Sequence, residues 1–218
     1  NNQQFGSLAS LAVTGNATVG GTLGVTGAIN GRSMVLAPHS SGAKEVFTAQ
    51  LGPIRGLTVY NGDIYEGSSG GVVHRHDGTS ETILSSVTLP YTVWALCFID
   101  GDLVASDGDI VYRYSGFSNS LISSFYTGSY VNGIAWDGTD LWIISYSTRA
   151  IKHYDGFSST ELESIGLTSI LGDFGIRAIN YVSGLVWTGK NFIFSVGLNV
   201  GSSDWNICAL DKTNSYIV

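Results

Sequence analysis

The amino-acid sequence predicts an all-β fold, and its glycine content, its periodicity and its internal repeats are the observations that predict it. Glycine accounts for 29 of 218 residues and proline for only 3, which indicates many tight turns between short strands. Periodicity typical of an amphipathic helix is almost absent. The best helical candidate, residues 158–165, is short and has β-branched and glycine neighbours, so the all-β interpretation extends to it.

Composition and charge exclude several classes of protein. Hydrophobic residues make up 44% of the chain and aromatic residues 11%, which is enough for a packed core. Charged residues make up only 12%, and the net charge of −7 leaves no basic surface for nucleic acid or for an anionic membrane. The longest apolar run, Val93 to Ile99, is far shorter than the ~20 residues of a membrane helix. We therefore expect neither a nucleic-acid partner nor membrane insertion.

A short repeat lies near the N-terminus. LAVTGNATVGGT begins at Leu11, and LGVTGAINGRSM begins 12 residues later at Leu23. Each unit supplies one alternating strand and a glycine turn, which is too little apolar surface for a core of its own. Leu11, Val13, Leu23 and Val25 are therefore expected to be buried against symmetry-related copies, which predicts a homo-oligomer.

A longer, divergent repeat occupies residues 54–218. Four similar segments begin at Ile54, Val93, Val131 and Val182, at intervals of 39, 38 and 51 residues. A third-strand pattern and a fourth strand follow each of them. Four antiparallel strands recurring every ~40 residues are typical of β-propeller blades. We therefore predict a short fibrous β shaft over residues 1–31, a connector over residues 32–53, and a small β-propeller-like head of about four four-stranded blades over residues 54–218.

The N-terminal repeat also resembles a known family. The stretch LAVTGNATVGGTLGVTGAING is similar to the shaft repeats of tail fibres and other fibrous proteins of tailed bacteriophages. That resemblance implies a trimeric stalk attached to other virion proteins at its N-terminus, a location in the virion, and a non-enzymatic head that attaches the virion to the host cell. Two alternatives remain: an architectural capsid or tail decoration fibre that binds no receptor, and a secreted glycan-active enzyme built on a propeller.

The motifs that carry chemistry have structural explanations in this repeat. His74 and His76 look like metal ligands, but the register aligns His76 with Tyr114 and Tyr154, so we expect no metal there. Asp-Gly pairs suit tight hairpin turns better than a calcium site. No nucleophile elbow, phosphate-binding loop or dinucleotide fingerprint occurs, so no catalytic residue and no cofactor is assigned. Cys97 and Cys208 lie in apolar runs and are expected to be buried free thiols.

One set of aligned positions varies where the repeat is otherwise regular. The residue before the small Gly or Ala of each first strand is Arg55, Trp94, Asn132 or Ser183. Because first strands line the central channel of a propeller, these four residues are the predicted ligand-binding ring, unless they are merely unconstrained strand positions. Stacking and hydrogen bonding suit a neutral glycan or a protein surface on the host cell. Trp136, Trp142 and Trp187 align with apolar positions and are expected to fill space between blades, whereas Trp94 and Trp205 are less constrained.

Overall fold

The computed structural model describes residues 54–78, 80–168, 171, 181–197 and 205–211. Within them, fifteen β-strands form four antiparallel sheets, which confirms the predicted all-β class and the propeller-like arrangement of four blades. The predicted shaft and connector, with Leu11, Val13, Leu23 and Val25, lie outside the described residues.

Each sheet is a meander of strands that follow one another along the chain. The first blade contains β1 (Ile54–Tyr60), β2 (Asp63–Ser68), β3 (Val72–His76) and β4 (Ile83–Thr88). The second contains β5 (Ala95–Ile99), β6 (Asp102–Ser106), β7 (Ile110–Tyr114) and β8 (Leu121–Tyr126). The third contains β9 (Val131–Trp136), β10 (Leu141–Ser145), β11 (Ala150–Tyr154) and β12 (Glu161–Gly166). The fourth contains, in its described part, β13 (Tyr181–Trp187), β14 (Asn191–Gly197) and β15 (Trp205–Asp211).

Two predictions from the sequence concern individual strands in the third and fourth blades. The weak helical candidate at residues 158–165 contributes most of its length to β12, so the all-β interpretation is confirmed there. The strand predicted at residues 214–218, which would complete the fourth blade, lies outside the described residues. No helix in the described ranges is both long and apolar enough to cross a membrane.

Tight turns explain why the first two strands of a blade pair as hairpins. Asn61 and Gly62 join β1 to β2 with φ values of 51° and 86°, and Asp100 and Gly101 join β5 to β6 with 51° and 93°. Two consecutive residues with positive φ form the turn that matches the twist of antiparallel strands, and Asn-Gly and Asp-Gly favour it. For Asp100-Gly101, the prediction that an Asp-Gly pair serves turn formation is therefore confirmed.

Neighbouring blades pack through three apolar clusters. Leu96 and Phe98 lie in the cluster between the first two blades, and Cys97 lies in the cluster between the second and third. Cys208 belongs to the cluster between the third and fourth. Both cysteines are buried free thiols, as predicted, and burial raises the pKa of each. At Gly133 a Cβ would lie 2.6 Å from the backbone nitrogen of Leu185, so β9 and β13 approach too closely for a side chain.

Several apolar side chains on the first strands of the first and fourth blades are exposed instead. Leu57 aligns with Leu96, yet Leu57 is 60% exposed whereas Leu96 is 3% exposed. Val59 is 66% exposed, and Val186 of the fourth blade is 57% exposed. At Gly184, which aligns with Gly133, a Cβ would meet no atom of the described residues within 4 Å. Among the described residues, apolar clusters join the three successive pairs of blades, and none joins the fourth blade to the first.

Candidate functional site

The four first strands surround a central channel, as the repeat predicts. A cavity of about 420 Å³, here called the lower cavity, lies between the C-terminal halves of these strands, at residues 57–60, 97–98, 134–136 and 185–187. A narrower cavity of about 30 Å³, here called the waist, lies between their N-terminal halves. Arg55, Trp94 and Asn132 line this waist, so three of the four predicted ring positions meet at the same end of the channel.

A third cavity opens beside the waist and shares two residues with it. This aromatic cleft has a volume of about 470 Å³. Its lining residues are Trp94, Tyr130, Asn132, Tyr146, Ser147 and Tyr181. Small-molecule sites have volumes of about 300–1,000 Å³ and combine aromatic walls with a few placed polar groups. The cleft has both properties.

Regular backbone contacts hold the cleft residues in place. Trp94 precedes β5, and its N–H donates to the carbonyl oxygen of Ser106 at 2.8 Å. Tyr146 follows β10, and its N–H donates to the carbonyl oxygen of Tyr130 at 3.0 Å. The N–H of Tyr130 in turn donates to Oγ of Ser147 at 3.1 Å. The rings therefore project from strand ends that are fixed by the blades.

The rings of the cleft form two pairs. Trp94 and Tyr130 meet edge to face, with centroids 5.0 Å apart and planes at 75°. Tyr146 and Tyr181 are nearly parallel, with centroids 5.4 Å apart and planes at 21°. The three tyrosines are 37%, 39% and 40% exposed, so each is partly accessible to a ligand.

Charged groups of both signs surround the cleft. The guanidinium carbon of Arg55 lies 3.8 Å from the centroid of the Trp94 ring, which is a cation–π contact. Burial raises the pKa of Tyr130, and the carboxylates of Asp107 and Asp109 raise it further, whereas Arg55 opposes the increase. Groups of both signs therefore act on the Tyr130 hydroxyl.

The structure does not place Ser183 in the cleft or the waist. Its backbone carbonyl accepts a hydrogen bond from Oγ of Ser195 at 2.8 Å, within the fourth blade. The bulge of the fourth blade falls between Ser183 and Leu185, one residue later than the bulges at Arg55 and Asn132 in the first and third blades, so the alignment with Asn132 does not carry over to position in space.

The three tyrosines of the cleft were not among the ligand-binding residues predicted from the sequence. Tyr130 and Tyr181 occupy equivalent positions, each directly before the valine that begins the aligned segment of its blade. That recurrence was the available signal. Tyr146 lies in the turn between β10 and β11, where the repeat offers no comparison.

The aligned tryptophans behave as predicted where they are described. Trp142 is buried, and its ring stacks on that of His153 with centroids 3.9 Å apart. Trp136 and Trp187 pack against the clusters between blades and also line the lower cavity. The side chain of Trp205 lies outside the described residues.

The histidine motif of the first blade is explained by the fold. His76 occupies the place of Tyr114 and Tyr154, as the register predicts. Nε2 of His76 lies 3.2 Å from Oε1 of Glu66, and both side chains are fully buried. Across the described residues, no group of three potential metal-ligating side chains comes together.

Comparisons with known proteins find the fold and no family. No family model and no curated protein matches this chain. The glutaminyl cyclase of Myxococcus xanthus is similar over 72% of this chain and 74% of its own, with a TM-score of 0.57 and 13% identity. The WD40 domain of Neurospora crassa Pan2 is similar over 76% of this chain and 48% of its own, with a TM-score of 0.51 and 12% identity. At such identities the likeness concerns the fold alone: the described part of the chain is a β-propeller.

Proposed function

We propose that this chain is a non-enzymatic fibre protein of a tailed-phage virion, and that its propeller head attaches the virion to the host cell through the aromatic cleft. The observation that carries the proposal is the cleft itself, in which four aromatic rings, an amide and a hydroxyl line a cavity of about 470 Å³. Exposed aromatic rings on a rigid scaffold are typical of recognition surfaces, because they offer large contact area at little cost in conformational entropy.

The lining of the cleft favours binding over catalysis. A glycan-cleaving enzyme places two carboxylates on either side of the scissile bond. The cleft residues in the described part of the chain are instead Trp94, Asn132, Ser147 and three tyrosines. These side chains stack and form hydrogen bonds.

The N-terminal segment supports the fibre part of the proposal. The repeat at Leu11 and Leu23 provides one apolar strand in each unit, which a trimer of identical chains would bury around a common axis. In this proposal residues 1–31 form the trimeric shaft and contact other virion proteins, and Leu11, Val13, Leu23 and Val25 make the contacts between chains.

Adsorption of the purified protein to a panel of intact bacterial strains tests the attachment function. We expect saturable binding to a subset of strains and no release of sugar from them. Absence of binding to every strain would favour the architectural fibre, and catalytic release of sugar would favour the glycan-active enzyme.

The solution mass tests the shaft separately. We expect a trimer that Leu11→Asp dissociates, because a buried unpaired carboxylate is costly. A monomeric wild-type protein would contradict the trimeric stalk.

A further inference from the structure

One polar atom in the wall of the cleft lacks a partner among the described residues. Oδ1 of Asn132 is buried, and it accepts no hydrogen bond from that part of the chain. Asn132 lines both the aromatic cleft and the waist, so this residue borders the two cavities. A buried acceptor without a donor costs free energy, and native structures satisfy nearly all such groups. The site therefore calls for a ligand that brings a hydrogen-bond donor.

The surrounding surface requires the same ligand to present a flat apolar face. Tyr130, Tyr146 and Tyr181 are each partly exposed in the cleft, where they form an edge-to-face pair with Trp94 and a parallel pair. One side of the Trp94 ring is already covered by Arg55, so the partly exposed tyrosines offer the other aromatic surfaces for stacking.

The charges around the cleft select neither an anion nor a cation. Arg55, which lies over the Trp94 ring, lowers the pKa of Tyr130, whereas Asp107 and Asp109 raise it. Asp107 is also engaged, because its carboxylate accepts a hydrogen bond from the hydroxyl of Tyr112 at 3.0 Å. A neutral ligand is compatible with both signs of charge.

We propose, on the basis of the attachment function above, that the ligand is a neutral pyranose glycan. A pyranose combines a flat face of C–H groups, which stacks on aromatic rings, with an edge of hydroxyl donors. In this proposal the C–H face lies on the tyrosine rings, and one hydroxyl donates to Oδ1 of Asn132. Asn132 is thus the residue that determines the orientation of the sugar ring.

An array of immobilised neutral and acidic oligosaccharides, read with the purified full chain, tests this proposal. We expect the protein to bind at least one neutral glycan. Tyr146→Ala should weaken that binding about tenfold, which corresponds to about 1.4 kcal/mol. The matched control is Tyr126→Ala, because Tyr126 is a tyrosine on the outer strand of the second blade with 63% exposure and lies outside the cleft. Its binding should equal that of the wild type.

The substitution Asn132→Leu distinguishes a ligand-binding role of Asn132 from a structural one. This substitution removes the unpartnered acceptor at similar volume, so we expect an unchanged or higher melting temperature together with binding about fivefold weaker or worse. A purely structural role of Asn132 would instead lower the melting temperature and leave the affinity of the folded fraction unchanged, which would overturn its assigned role.

The remaining outcomes distinguish this proposal from the proposed function. Binding to acidic glycans alone, or neutral-glycan binding that Tyr146→Ala leaves intact, would overturn the ligand class. Adsorption to cells that depends on the cleft but is accompanied by no glycan binding would indicate a protein ligand and leave the attachment function standing. Neutral-glycan binding without adsorption to any cell would instead contradict the attachment function.

Discussion

The carboxylate of Asp102 accepts a hydrogen bond from Nε of Arg113 at 2.8 Å and another from the N–H of Gly116 at 2.9 Å. Asp102 begins the second strand of its blade, Arg113 lies on the third, and Gly116 lies in the turn that follows. One carboxylate thus joins two strands to a turn. The same arrangement recurs as Asp63 with Arg75 in the first blade and as Asp140 with His153 in the third.

Each of these three arrangements is a unit of one carboxylate, its Arg or His partner and a turn glycine. Removing the cationic side chain from one unit should lower the free energy of unfolding modestly. Arg113 and Asp102 are 25% and 20% exposed, so water screens their attraction. We expect Arg113→Ala to reduce the free energy of unfolding by about 1 kcal/mol. Asp102→Ala should cost more, because it also leaves the Gly116 amide without its acceptor. Urea unfolding at neutral pH measures the free energy of unfolding of both variants, and Lys190→Ala serves as an exposed control. Equal losses for the three variants would contradict the structural role of the Asp102 unit.

The same carboxylates predict how stability responds to acid. Hydrogen bonds from the amides of Gly78, Gly116 and Gly156 are the largest cause that lowers the pKa of Asp63, Asp102 and Asp140, and the Arg or His partner lowers each pKa further. A carboxyl with a depressed pKa stabilises the folded state above its unfolded pKa of about 3.9, and this stabilisation is lost as the pH falls through the folded value.

We therefore expect the contribution of these groups to be constant from pH 7 to about pH 5 and to decline below about pH 4. Asp102→Asn should be less stable than the wild type at pH 7, and the difference between the two should shrink in acid. Unfolding curves from pH 7 to pH 3 test this. A difference that stays constant or widens in acid would contradict the assigned pKa shift.

The fourth blade lacks this unit in its described strands and leaves a polar atom without a partner there. Asn191 stands where the other blades have Asp, and Ala209 stands where they have Arg or His. Oδ1 of Asn191 is buried and accepts no hydrogen bond from the described residues. We expect the double substitution Asn191→Asp and Ala209→Arg to raise the free energy of unfolding by about 0.5–1 kcal/mol. Each single substitution should fail to do so, and a thermal melt of the three variants shows whether the two residues couple.

The exposures of two aligned leucines predict unequal effects of substitution. Leu96 is 3% exposed between the first two blades, whereas Leu57 is 60% exposed on β1. Leu96→Ala should cost about 2–5 kcal/mol, because it removes buried surface and leaves a cavity. Leu57→Ala should change stability by no more than about 0.5 kcal/mol. Comparable losses in chemical denaturation would mean that Leu57 is covered in solution.

Much of the fold follows from the sequence because the blades repeat. Aligning His76 with Tyr114 and Tyr154 identified a shared structural position, and the structure places all three residues at the same point of the third strand of their blades. The cleft could be predicted only in part. Trp94 and Asn132 were found because their positions vary in an otherwise regular register, whereas Tyr146 lies in a turn whose course depends on tertiary packing. Ser183 lines neither the cleft nor the waist, because the bulge of its strand falls one residue later than the bulges at Arg55 and Asn132.

The central claim is that the protein recognises the host through the aromatic cleft. The most direct test is to measure adsorption of the Trp94→Ala variant to bacteria that bind the wild-type protein. Trp94 borders both the cleft and the waist, and its ring also carries Arg55, so Arg55→Ala is measured beside it. Melting temperatures show that each variant is folded, and Tyr126→Ala controls for loss of an exposed ring outside the cleft. We predict that Trp94→Ala lowers adsorption at least tenfold, that Arg55→Ala lowers it less, and that Tyr126→Ala leaves it unchanged. Wild-type adsorption by a folded Trp94→Ala protein would contradict the claim.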